Sequence, residues 1–248
     1  MLELINVNKT FAKNTPNEVN SLVDINLKLA SNSFTLIIGS NGSGKSTLLN
    51  TIAGTVQVDR GKIELMGQDI TSKPDFKRSN MIARIFQNPL MGTAPDLTLL
   101  ENFRLASLRN KPKGLHWMNK KQFSSQVSES LVRLNMGLEN KLNQNIGSFS
   151  GGQRQAISLL MATYADLKLL LLDEPTAALD PRSSEIVLKL THDIIAEQKI
   201  TALMVTHDMK HCETMGERVI QMHQGKIIRD VQLNQNRPHY EELMAWFK

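Results

Sequence analysis

Phe34-Thr-Leu-Ile-Ile-Gly-Ser-Asn-Gly-Ser-Gly-Lys-Ser-Thr-Leu-Leu49 joins an apolar run to a helix through three glycines. Phe34 to Ile38 reads as a strand, and Thr47 to Ala53 as a helix ended by Gly54. Between them, Gly39, Gly44, Lys45 and Ser46 match the pattern G-x-x-x-x-G-K-[ST]. Glycines permit backbone conformations in which successive N–H groups turn inward toward phosphate oxygens. The start of the helix adds a partial positive charge at the same point. Gly39, Ser40, Asn41, Gly42, Ser43, Gly44, Lys45, Ser46 and Thr47 are therefore the candidate phosphate cradle, with Lys45 reaching the β and γ phosphates and the Ser46 hydroxyl a ligand for Mg²⁺. The alternative, a glycine-rich turn with no ligand, needs this pattern to fall by chance at a strand-to-helix junction.

Around that segment the chain alternates strands and helices. Leu2 to Val7 and the alternating Val23, Ile25, Leu27 and Leu29 predict two strands, with a loop over Ala12 to Asn20. Lys62 to Met66 and Met81 to Phe86 predict two more. From Leu97 to about Gly147 helical spacing takes over, with Phe123, Val127 and Leu131 on one face. Asn110 to Trp117 reads as a surface loop within that region. A helix after Ser150, a strand Leu169 to Leu172, a helix Pro181 to Glu197 and a strand Ile200 to Val205 follow. Arg218 to Val231 reads as a hairpin turning at Gln224-Gly225. The expected fold is α/β: a largely parallel central sheet with an inserted helical subdomain.

The strand Leu169-Leu-Leu-Leu172 delivers Asp173 and Glu174 at its carboxyl end, where ligands of parallel α/β sheets collect. Asp173 is placed to hold Mg²⁺, as the strand acid does in P-loop NTPases, and Glu174 to orient or deprotonate an attacking water. Phe149-Ser-Gly-Gly-Gln153, leading into a helix, forms a second set of free N–H groups. One nucleotide does not need both sets, and a head-to-tail pair of chains would use each against the other.

Composition limits the remaining possibilities. The 248 residues, 41% hydrophobic and 21% charged, suffice for one large domain with a sizeable core. Lys plus Arg is 29 against 24 for Asp plus Glu, giving a net charge of +5 and a pI near 9.3. That excess is diffuse, so it argues only weakly for nucleic acid or an anionic membrane surface. The single cysteine, Cys212, lies beside Lys210, His211 and Glu213 and excludes an internal disulfide or a cysteine-based metal cluster. The start of the chain carries no secretory signal, and Asp166 and Lys168 interrupt the most apolar stretch, so a soluble, intracellular protein is expected.

Six motifs in order give the chain a resemblance to the ATP-binding cassette (ABC) ATPases over nearly its whole length. These are the Walker A loop Gly39–Thr47, the Q-loop Gln87 in Ile85-Phe-Gln-Asn-Pro89, and the signature Phe149–Gln153. Walker B with Asp173 and Glu174, the D-loop Ala178-Leu-Asp180 and His207 in Val-Thr-His-Asp208 complete them. The signature carries Phe149 where leucine is common, an apolar exchange. The resemblance implies a P-loop NTPase core with an N-terminal antiparallel β subdomain, the core over about 1–90 and 155–248 and the helical subdomain over about 91–154. It also implies ATP hydrolysis with Mg²⁺ held by Ser46, Gln87 and Asp173. Gln87 would couple the site to the helical subdomain, and His207 would contact the γ-phosphate and hold Glu174. Ser150, Gly151, Gly152 and Gln153 would complete the partner copy's site. Phe11, near the end of the first strand, stands where this family often stacks an aromatic on adenine; a core or loop phenylalanine is the other reading.

Sixty-two residues separate Gln87 from Ser150, without sustained heptads, which disfavours the coiled-coil repair and condensation types. The chain is thus similar to separate motor subunits that work as a homodimer with an integral-membrane permease and, indirectly, a substrate-binding protein. Such a subunit is cytoplasmic and peripheral on the inner face of the membrane. At subfamily level the similarity points to a bacterial group linked in part to amino acids. The rival reading is a non-transport clamp on nucleic acid or protein.

Overall fold

The computed structural model describes residues 1–109, 119–164, 166–233 and 240–246. The chain opens with β1 (Leu2–Phe11), β2 (Val19–Leu29) and β3 (Phe34–Ile38), then α1 (Lys45–Ala53). Next come β4 (Arg60–Leu65), β5 (Gln68–Asp69), α2 (Asp75–Arg78) and β6 (Ile82–Ile85). Helices α3 (Leu99–Ser107), α4 (Lys120–Val132) and α5 (Gly151–Ala162) follow. Then β7 (Leu169–Asp173), α6 (Pro181–Gln198), β8 (Thr201–Val205), α7 (Lys210–Thr214), β9 (Arg218–His223), β10 (Lys226–Gln232) and α8 (Tyr240–Ala245) complete the described chain.

Two sheets form. The larger has the order β10-β9-β3-β8-β7-β6, parallel throughout except for the β9–β10 hairpin. That hairpin turns at Gln224 and Gly225, whose φ values of 45° and 77° suit the tight turn that matches strand twist. The smaller sheet, β2-β1-β4-β5, is antiparallel. The fold is therefore the expected α/β architecture with an antiparallel N-terminal portion.

Continuous apolar strands are what a sheet covered on both faces requires. In β3, Leu36 and Ile38 face the helices α3 to α6, while Ile37 faces α1 and the antiparallel sheet. Leu170 and Leu172 of β7 divide from Leu169 and Leu171 in the same way. Phe123, Val127 and Leu131 form the buried face of α4, as their spacing predicts.

Some expectations need adjustment. β1 runs on to Phe11, because Lys9, Thr10 and Phe11 pair with β2 although Asn8, Lys9 and Thr10 interrupt the apolar pattern. In β2 the inward set includes Leu22 while Val23 is only half-buried. Asp24, at φ 47°, lies at an irregularity that shifts the strand's facing by one residue. Cys212, expected among polar neighbours, is fully buried in the core. The loop expected over 110–117 lies outside the described residues. Among the described residues no helix is long and apolar enough to cross a membrane.

Candidate active site

The cradle follows β3 directly, and its geometry is one that only glycine accepts. Gly44 has φ 101°, and a Cβ there would meet the Ser21 carbonyl oxygen at 2.4 Å. Lys45, nearly buried, donates through Nζ to the carbonyls of Gly39 (2.8 Å) and Ser40 (2.9 Å). Burial pulls its pKa below the ordinary lysine value, and the charges of Glu174 and Asp173 pull it back up. A buried ammonium with only backbone partners in direct bond among the described residues keeps a donor for an anion, as a phosphate cradle requires. Ser40, Asn41 and Gly42 are exposed at the mouth, Ser43 is buried beneath them, and Thr47 is fixed by the Ser21 hydroxyl at 2.7 Å.

The two residues expected at the metal meet across 127 positions of sequence. Ser46 Oγ donates to Asp173 Oδ1 at 3.2 Å. Asp173 Oδ2 accepts from Arg84 Nη2 at 2.8 Å, and Arg84 Nη1 also donates to Asn50 Oδ1. A hydroxyl and a carboxylate are hard oxygen donors, and among the described residues no cluster of three His, Cys, Asp or Glu could hold a metal. That set fits Mg²⁺, which takes one or two protein oxygens and completes its shell with phosphate and water. Gln87 is exposed, beyond the end of β6. Gln155 of α5 fixes the strand end next to it by donating to the Phe86 carbonyl at 2.9 Å.

Glu174 follows Asp173 at φ 47°, and its N–H donates to the Val205 carbonyl at 3.1 Å. Its Oε1 lies 2.5 Å from His207 Nε2. His207 is carried by the turn after β8, which Thr206 secures: its N–H reaches the Ile37 carbonyl (3.1 Å) and its hydroxyl lies 2.7 Å from His211 Nδ1. An acid and a histidine thus stand together beside the cradle, an arrangement suited to placing a water for in-line attack.

The turn expected to bind a second anion is built separately. Ser150 Oγ accepts from the Gln153 N–H at 3.3 Å, and Gln153 Oε1 accepts from the Ser150 N–H at 3.0 Å. This capping box starts α5 and leaves the Gly151 and Gly152 N–H groups at its N-terminus without intrahelical acceptors. Among the described residues no hydrogen bond joins this turn to the cradle of the same chain. Asp180 starts α6 in the same manner, accepting from the Ser183 N–H at 3.0 Å. Bonding to Ser183 holds its carboxyl below the usual range. Phe11 is 41% exposed, with Lys9 Nζ 5.4 Å from its ring centroid, so the ring face is not spent on core packing.

Several supporting residues were not legible in the sequence. Arg78, 1% exposed, donates to the carbonyls of Thr51, Ile52, Thr71 and Lys73 and so caps the end of α1. Arg84, Asn50 and Gln155 carry no motif spacing, and the partners they meet here lie far away in the chain.

The family profile for ABC transporters matches residues 22–177. A tyrosine transport ATP-binding protein of Clostridioides difficile is 41% identical over 93% of this chain and 92% of its own length. A general L-amino acid transport ATP-binding protein of Rhizobium johnstonii is 34% identical, covering 96% of this chain and 85% of the relative. A dimeric ATP-binding cassette solved in a post-hydrolysis state with ADP and Pi superimposes with a TM-score of 0.81 at 29% identity, covering 94% of this chain and 99% of that one.

Proposed function

The chain belongs to the ABC transporter family as an ATP-hydrolysing subunit of the import type, and from that premise we propose that it energises uptake of an amino acid or similar small solute through a separate integral-membrane permease. The observation carrying the motor reading is the convergence of Lys45, the Ser46–Asp173 contact and the Glu174–His207 contact on one cradle. Gly39 to Thr47 hold the phosphates of ATP through backbone N–H groups. Ser46 and Asp173, with Gln87, would hold Mg²⁺, which would supply neutralisation of phosphate charge. Glu174 orients the attacking water and accepts its proton, while His207 keeps that carboxylate in place and reaches the γ-phosphate. Phe11 stacks on adenine.

Ser150, Gly151, Gly152 and Gln153 serve the site of a second copy, since they form an anion-binding turn without a bond to their own cradle. The homodimer reading draws support from the dimeric state of the similar cassette. Residues 91–154 act as a helical subdomain against a core of 1–90 and 155–248, with Gln87 between them. Next to Gln87 is a cavity of about 540 Å³ whose lining includes Phe76, Met91 and Leu105. These three side chains are 65%, 52% and 54% exposed, an apolar rim suited to a permease helix. The subunit accordingly works on the cytoplasmic face of the membrane, and a substrate-binding protein selects the cargo with the permease. Amino-acid cargo rests on the relatives named for tyrosine and general L-amino acid transport.

Co-purification tests this reading. The tagged protein, recovered from gently solubilised native membranes, should bring down a multi-span permease, together with a binding protein. Recovery of only soluble partners or nucleic acid would end the transport assignment and leave the ATPase intact.

A further inference from the structure

Arg84 belongs to none of the six motifs, yet it touches the metal-side carboxylate. It sits in β6, opposite Leu171 of β7, with its side chain 13% exposed. The guanidinium is fixed from three directions. Nη2 donates to Asp173 Oδ2 at 2.8 Å, Nη1 donates to Asn50 Oδ1, and Cζ lies 4.7 Å from the Phe86 ring centroid. Its Nε is buried without a hydrogen-bond partner among the described residues, and the side chain forms part of the wall of the cavity beside Gln87.

The consequence falls on Asp173, which is itself 8% exposed. Its two oxygens are divided: Oδ2 is taken by Arg84, and Oδ1 is turned to Ser46. A carboxylate held at one oxygen by a planar, always-charged donor has little rotational freedom left for the other. Groups that bind a metal-holding residue from behind tune its affinity by fixing its orientation. We propose that Arg84 is a positioning residue, anchored by Asn50 and Phe86, that holds Asp173 with Oδ1 directed toward Ser46 and the Mg²⁺ position. This rests on the assignment of Ser46 and Asp173 to the metal.

The test is an equilibrium titration of the isolated full chain. Binding of a fluorescent, non-hydrolysable ATP analogue is followed as Mg²⁺ is raised from a chelated zero. Arg84→Met should leave binding in chelator unchanged and raise the Mg²⁺ midpoint about tenfold. Arg84→Lys keeps the charge but loses the fork, and should restore part of the shift. Asn50→Leu removes one anchor and should move the midpoint in the same direction by less. A merely structural ion pair would lower the melting temperature and leave the midpoint where it was, and that result overturns the proposal. A lowered midpoint in Arg84→Met overturns it too, because Arg84 would then be a cation competing with the metal. Asp173→Asn separates the two failures. If it shifts the midpoint and Arg84→Met does not, the role of Arg84 falls alone; if neither does, the metal assignment falls first. Should Arg84→Met fail to fold, the lysine and Asn50 variants decide the matter by the same readout.

Discussion

Glu174 holds a left-handed backbone conformation, uncommon for a side chain of its size. The bond from its N–H to the Val205 carbonyl and the contact with His207 keep it there. Strain retained at a position that also carries an acid beside a phosphate cradle is the kind that function explains. Glu174→Gln preserves the shape and removes the proton acceptor. Phosphate release should fall by at least about 100-fold, the ordinary contribution of a general base, while ATP binding to the single chain, read at protein concentrations too low for pairing, stays within about twofold, roughly 0.4 kcal/mol. Wild-type phosphate release from the variant would remove Glu174 from the chemistry. Its neighbour Asp173 is held differently, with its two oxygens occupied by Ser46 and Arg84.

At the scale of elements, the junction of α5 and α6 shows why one signature glycine serves two ends. A Cβ on Gly152 would lie 2.4 Å from both Cβ and Oγ of Ser183, in the first turn of α6. Gly152 therefore has a packing role apart from its free N–H, since the signature turn and the helix after the D-loop approach too closely for any side chain. Gly152→Ala should cost about 1–3 kcal/mol through overpacking, read from denaturant midpoints. Adding Ser183→Gly should recover part of that loss, and no recovery would show that the clash is elsewhere. The glycine turns and the apolar strands were legible in the sequence because their physics is local: a φ value, a period of two. The contacts of Arg78 with the end of α1, of Arg84 with Asp173 and of Gln155 with Phe86 were not, because each joins residues with no spacing to announce them. The same holds for Val23, whose alternation continued in the sequence while the irregularity at Asp24 turned the strand.

At the scale of the whole molecule, the cradle and the signature turn belong to different elements, α1 and α5, and each satisfies its own internal needs without the other. The cradle offers a buried lysine bonded to two backbone carbonyls, and the turn offers the N-terminal N–H groups of α5. Two anion-binding surfaces in one chain are used together if a second copy turns its signature toward the first copy's nucleotide. A two-fold axis then makes two such sites at once, as an isologous dimer does. Bound ATP should therefore act as part of the interface, and blocking its hydrolysis should trap the pair. Glu174→Gln with saturating MgATP should migrate as a species of twice the 27.8 kDa chain and return to the single chain when nucleotide is removed. Ser150→Phe added to that variant should abolish the dimer and leave ATP affinity of the single chain unchanged, because Ser150 is exposed and makes no bond to its own cradle. Loss of its cap costs only about 1 kcal/mol, so the fold should survive, as a thermal melt would verify. A dimer that persists in Ser150→Phe, or a Glu174→Gln chain that stays single at saturating ATP, would place the partner surface somewhere other than the signature turn.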